Sequence, residues 1–219
     1  TGNGGTQTIG GVFEGGGSFN GSSSYVSGLP TLTNISASYS ISVWAKFTST
    51  PSSNAYIFGG IKEQGSSDSL IGVFVNTSNN IVFRTRGSNA GTINDIVSSS
   101  NYLGQWHNIV VTQDSASMSL YVDGNNINTL SVSPTITVDN CVLGAVNSRG
   151  TIEEYFNGSI DQVRIFNTAL TAAQVTELYE ETDADSSVCN FPSGAGAIAL
   201  YELNGNANDT CGTYNGTAT

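Results

Sequence analysis

Apolar residues recur at every second position in several short runs of this chain, and that period of two commits it to β-structure. Ile41, Val43, Ala45 and Phe47 alternate with Ser42, Trp44 and Lys46, and Met118, Leu120 and Val122 alternate with Ser119, Tyr121 and Asp123. Successive side chains of a strand point to opposite faces, so each run reads as a strand with one face buried. Asp123-Gly124 has turn chemistry, as does Asn79-Asn80 between residues 71–75 and 81–84. Many short strands joined by polar turns predict an all-β fold of two packed antiparallel sheets. At 219 residues the chain is long enough to build one such sandwich with a sizeable core.

One segment breaks the rhythm. Thr171-Ala-Ala-Gln174 is a capping box, in which the Thr171 hydroxyl bonds the third helical amide and Gln174 reaches back. Val175 and Leu178 supply an apolar face, so a short helix is predicted near residues 171–181. Residues 182–196 are polar and irregular, with Pro192 and Gly194, and read as a linker. The chain therefore divides into a body over residues 1–181, a linker over 182–196 and a C-terminal strand and loop over 197–219.

Charge narrows the partners. Seventeen acidic and six basic residues give a net charge of −11, which excludes nucleic-acid binding through a basic surface and adsorption to anionic lipid. No apolar run is long enough to span a bilayer, so membrane insertion is not expected. The chain opens on Thr1 without an initiator methionine or a secretory leader, as a mature or partial chain would. Cys189 and Cys211 flank the C-terminal strand in loop-like surroundings and are predicted to form a disulfide, with Cys141 a buried thiol in a strand. That pairing fits an extracellular or cell-surface location; three reduced thiols are the alternative.

The tail reads as though it belonged at the front. Residues 197–219 are AIALYELNGNANDTCGTYNGTAT and residues 10–26 are GGVFEGGGSFNGSSSYV. Set tail before head, they resemble the opening of a laminin-G-like, concanavalin A-like jelly roll. The body continues the resemblance in YSISVWAKF (39–47), QWHNIVVTQD (105–114), SLYVDG (119–124) and GSIDQVRIFNTALTAAQVTELY (158–179). The resemblance covers nearly the whole chain and implies a two-sheet jelly-roll sandwich with its first strand moved to the C-terminus.

A sandwich missing one strand exposes an edge that recruits another. Ala197, Ile198, Ala199, Leu200, Tyr201, Glu202 and Leu203 form the donor strand, with Ile198, Leu200 and Leu203 as the apolar groups expected to insert. Residues 11–26 and 160–166 are expected to build the accepting edge. Three closures are open: a permuted monomer, donation to the next subunit, or one frame of a longer repeated chain. Donation is the favoured expectation, making the chain a structural subunit that polymerises with copies of itself into an extracellular filament by donor-strand complementation. The alternative is a monomeric, lectin-like glycan-binding module of a larger secreted or surface protein.

No catalytic constellation emerges, and the chain is not expected to be an enzyme. His107 is the only histidine and sits in a strand pattern. Glu153-Glu154 and Glu180-Glu181 are adjacent pairs, and neighbours on a strand point to opposite faces. The resemblance implies a structural calcium ion, with Asp161 and Asp209 at the matching positions and Asn20 nearby; oxygen ligands of this kind suit a hard cation. It also implies glycan contact. Trp44 and Tyr155 are the candidate residues, with Tyr56, Tyr102 and Trp106 as further aromatic groups. Six N-x-S/T sequons, at Asn20, Asn34, Asn76, Asn157, Asn208 and Asn215, leave attached glycan open as well.

Overall fold

A computed structural model of the chain describes residues 7–13, 15–31, 38–62, 69–87, 91–132, 134–138, 140–181 and 191–219. The strands are β1 (Gln7–Ile9), β2 (Gly15–Asn20), β3 (Val26–Ser27), β4 (Tyr39–Phe47), β5 (Ala55–Lys62), β6 (Ser69–Val75), β7 (Ile81–Arg86), β8 (Asn94–Val97) and β9 (His107–Gln113). They continue with β10 (Met118–Val122), β11 (Asn125–Leu130), β12 (Val142–Leu143), β13 (Val146–Ser148), β14 (Thr151–Glu153) and β15 (Asn157–Phe166). Helix α1 (Ala172–Glu180), β16 (Ala197–Tyr201) and β17 (Thr217–Ala218) complete the order. One sheet runs β1-β2-β15-β4-β9-β10-β11 with β16 also on β15; the other runs β17-β3-β12-β5-β6-β7-β8 and carries the β13–β14 hairpin.

The sequence patterns map onto these elements for stated reasons. Ile41, Val43, Ala45 and Phe47 all enter the core between the sheets, with Ile109, Val111, Met118, Leu120 and Val122 from the neighbouring strands. Asp123 and Gly124 both take positive φ, which lets the two-residue turn match the twist of β10 and β11. Asn79 does the same between β6 and β7. The capping box forms as expected: Thr171 caps α1, accepting from the Gln174 amide while the Gln174 side chain accepts from the Thr171 amide. Val175 and Leu178 then seal a second apolar cluster with Val110, Phe166 and Leu170 on the outer face of the first sheet.

The C-terminal ribbon fills the vacancy within its own molecule, the closure of a permuted monomer. Strand β16 pairs antiparallel with the second half of β15, Tyr201 opposite Val163 and Leu200 opposite Arg164. Strand β2 pairs with the first half, Asn20 opposite Asn157 and Gly17 opposite Ile160. The two ends of the chain thus share one edge of β15, divided at Asp161 and Gln162, where β15 bulges and Gln162 takes a φ of 48°. The expected accepting segments are therefore present, β15 bonding the ribbon directly and β2 completing the same edge. The physical reason for closure within the chain is tethering: a ribbon covalently joined to its own body by a short segment meets that edge at an effective concentration near millimolar.

Two details depart from the sequence reading. Ala199, Tyr201 and Leu203 enter the central core, whereas Leu200, expected to insert, is buried outside it. Part of the expected linker is packed against the body: Phe191 meets Phe166 edge-on, Ala195 is buried, and Thr168 Oγ1 donates to the Ala195 carbonyl at 2.6 Å. Beyond β16 the chain crosses to the other sheet, where Thr219 and Tyr25 exchange backbone bonds of 2.9 and 3.2 Å. The ribbon therefore ties both sheets together. Cys211 is disulfide-bonded and Cys141 is a buried thiol; the expected partner, Cys189, lies outside the described residues.

Candidate functional site

A cleft of about 420 Å³ opens at one end of the sandwich, where both sheets contribute. The ends of β2 and β4 and the start of β15 bring Asn20, Phe47 and Asn157; the start of β5 and the end of β6 bring Ala55 and Val75. Residues 49–54 form a lip of hydroxyl and amide groups, and Glu154, Tyr155 and Phe156 close the remaining side. The lining combines the buried apolar residues Phe47, Ala55, Val75 and Phe156 with a larger set of hydroxyl and amide groups, a mixture found in small-molecule sites.

The local geometry follows from short-range bonds. Asn157 Nδ2 donates to Ser49 Oγ at 3.1 Å, tying β15 to the lip. Asn79 Nδ2 donates to Thr50 Oγ1 at 3.0 Å, which holds the lip from behind. Gly21, at a φ of 71°, permits the close approach of Asn157, since a Cβ there would clash at 2.8 Å with that of Asn157. Tyr155 is half-buried, its hydroxyl donating to the Ile152 carbonyl at 3.2 Å, and its backbone bridges to Tyr56. Burial, then the neighbouring Glu153 charge, pushes the Glu154 carboxyl above the usual carboxylate range.

Of the two residues expected to touch glycan, only Tyr155 lines this cleft. Trp44 is 8% exposed and stacks on Tyr179 of α1, with ring centroids 6.0 Å apart and planes 24° from parallel. It does face outward from the core, as its phase in β4 implies, but the helix covers that face. Tyr56 is also buried, stacked on Phe74 at 4.7 Å. The sequence signals did not single out the Ser49–Asn54 lip as part of a cleft, because polar loop residues carry no period; only the Asn-Gly turns at Asn20 and Asn157 marked the region.

Each of the three residues expected to hold calcium is hydrogen-bonded within the protein. Asp161 is fully buried: Oδ2 accepts from the Val12 amide at 2.8 Å and Oδ1 from the Gln162 amide at 2.7 Å. Burial raises its pKa to about 6 against the pull of those amides and of Arg164. Asp209 accepts four backbone N–H groups, from Leu200 and Cys211 on Oδ1 and from Thr213 and Tyr214 on Oδ2. Asn20 Oδ1 caps its own turn, accepting from the amides of Ser22, Ser23 and Ser24. The described hydrogen bonds of these side-chain oxygens are to N–H and hydroxyl groups of the protein itself. Among the described residues, no group of three His, Cys, Asp or Glu side chains has metal-binding geometry. His107 pairs with Asp123 at 2.7 Å across the start of β9 and the β10–β11 turn, away from the cleft.

The profile of the family described as the concanavalin A-like lectin/glucanases superfamily matches residues 20–176. No curated protein sequence matches the chain. Among solved structures, domain 4 of a GH43 extracellular arabinanase from Geobacillus stearothermophilus, in complex with arabinotriose, is similar at a TM-score of 0.63 and 23% identity, over 80% of each chain. The CBM40 of the Ruminococcus gnavus IT-sialidase, bound to α2,3-sialyllactose, is similar at 0.59 and 16%, over 75% of this chain and 96% of that one. A heptameric SAP-like pentraxin from Limulus polyphemus is similar at 0.58 and 18%, over 74% of this chain and 80% of that one. At these identities the likeness shows the fold.

Proposed function

The chain belongs to the concanavalin A-like lectin/glucanase superfamily, and from that premise we propose that it is a non-catalytic, extracellular glycan-binding module. The end cleft carries the reading: a lining that combines a half-buried tyrosine and apolar groups with amide and hydroxyl groups suits the apolar faces and polar edges of a sugar. Tyr155 packs against a sugar face, and Asn54, Asn157 and the lip serines bond its hydroxyls. Two of the similar structures hold oligosaccharides, and the disulfide at Cys211 supports an oxidising compartment. No helix among the described residues is long and apolar enough to cross a membrane. A glycan array, followed by titration calorimetry on any hit, tests the proposal with Tyr155→Ala and Asn157→Ala. Loss of binding with the fold intact is the expected result; unchanged binding by both variants removes the cleft from the mechanism.

A second reading is favoured by one observation, the ribbon. It is held along part of one side of β15 by backbone bonds that any copy of the chain reproduces. Exchanged between copies, this contact is heterologous and propagates head to tail, making the chain a filament subunit. Electron microscopy at high protein concentration tests it: filaments that vanish when the peptide 197–219 is added in excess support exchange, and single particles throughout remove it.

A further inference from the structure

The proposed cleft has a charge character that the comparisons leave open, since one similar module holds a neutral oligosaccharide and another an acidic one. Fifteen of the described residues line it, and among these Glu154 is the only one with a formal charge. No lysine or arginine is among them. The strong cationic pairs described elsewhere are committed: Arg84 grips Asp95 through two bonds of 2.7 and 2.8 Å, and Arg164 is buried against Glu181. The chain as a whole is at −11.

Resting on the glycan-binding reading, we propose that the end cleft takes an uncharged, hydroxyl-rich saccharide and turns away acidic ones. A carboxylate or sulfate is recognised where a guanidinium, an ammonium or a fan of N–H groups offsets its lost hydration. This cleft offers amide and hydroxyl groups that both donate and accept, which is the chemistry of sugar hydroxyls. Asn157 Nδ2 is engaged already on Ser49 Oγ, so the complementary group it offers an incoming O–H is its acceptor oxygen, whereas Asn20 is spent on its own turn. An acidic ligand would also approach Glu154, half-buried in the lining, with the exposed Glu153 next to it in the chain, and like charges at close range repel.

The test is a binding panel read at about 20 mM and about 500 mM NaCl, a range that spans strong and weak screening. Its neutral members include arabinotriose and lactose, and its acidic members include 3′-sialyllactose and trigalacturonic acid. The expected result is binding of a neutral member that shifts less than about twofold with salt, and at least about tenfold weaker binding of every acidic one. Asn54→Lys, which places a cation on the lip, is expected to raise affinity for an acidic member about tenfold at low salt, with the gain erased at high salt. An acidic member that binds more tightly than every neutral one, through a site that Tyr155→Ala abolishes, overturns the selectivity and leaves the glycan-binding reading standing. Binding to no member sinks both. A folded Asn54→Lys chain without the gain sinks the assignment of this cleft.

Discussion

Tyr201 lies directly opposite Val163 across β15 and β16, its ring fully buried in the central core and its hydroxyl donating to the Tyr214 carbonyl at 2.7 Å. The residue thus anchors the ribbon twice, once by packing and once by holding the loop that returns to β17. Tyr201→Ala is expected to cost roughly 3–5 kcal/mol in denaturant unfolding, the range for emptying a large aromatic site. Tyr201→Phe keeps the ring and loses one hydrogen bond, for about 1 kcal/mol. Ending the chain at residue 196 uncovers half an edge of β15 and is expected to leave a body that unfolds at much lower denaturant. The same peptide supplied in trans, residues 197–219, should restore part of that loss.

Strand phase and helix capping were readable because both depend on neighbours in sequence. The alternation of β4 placed Ile41, Val43, Ala45 and Phe47 inward, and Thr171 with Gln174 fixed the start of α1. Trp44 shows where this stops. Its outward phase was right, but Tyr179, far along the chain, covers it, so exposure depended on a contact that no period encodes. The missing strand was legible from the tail, and its destination was not: backbone pairing of β16 with β15 is the same contact whichever molecule supplies the ribbon. The cleft was the least legible part, since loops from both sheets build it and only Tyr155 of its aromatic groups was singled out.

Asp209 gathers four backbone amides that span residues 200–214, and so takes the organising role in this loop that a cation has in oxygen-rich sites. Asp209→Ala strands those N–H groups in a buried setting and is expected to cost roughly 3 kcal/mol. Asp209→Asn keeps one acceptor and should cost less. Adding calcium or a chelator to the unaltered chain is expected to leave the melting temperature in place, as scanning calorimetry can check. A clear upward shift with calcium would show that the loop reopens its carboxylate to the ion.

Asp161 is the buried carboxyl between the two strands that share the β15 edge, and its pKa is raised from the ordinary 3.8 to about 6. Between those values the folded chain retains a proton that the unfolded chain has released. The contribution of this group is therefore greatest below about pH 4, falls as pH rises toward about 6, and stays low above it. Its size is on the order of 3 kcal/mol at most. Asp161→Asn removes the titration, so unfolding measured from about pH 4 to about pH 7 should show the unaltered chain losing stability relative to the variant across that window. Parallel pH profiles would mean that Asp161 ionises alike in both states.

Trp44 and Tyr155 are predicted to separate stability from binding, because the first lies beneath α1 and the second lines the cleft. Trp44→Ala empties a site closed by Tyr179 and should cost roughly 3–5 kcal/mol. Trp44→Phe retains an aromatic face for Tyr179 and removes the indole N–H, which has no hydrogen-bond partner. That change should therefore cost much less, since it strands no second polar group. Neither change should alter the saccharide affinity of the fraction that remains folded, measured by calorimetry well below the melting point. Tyr155→Ala should do the reverse, lowering affinity about tenfold or more for the stacking it removes, while its half-buried ring leaves stability lowered by about 1–2 kcal/mol. If the folded Trp44→Phe chain bound sugar less well and Tyr155→Ala bound it normally, the ligand would have to sit against the helix-covered face of the sheet instead of at the end of the sandwich.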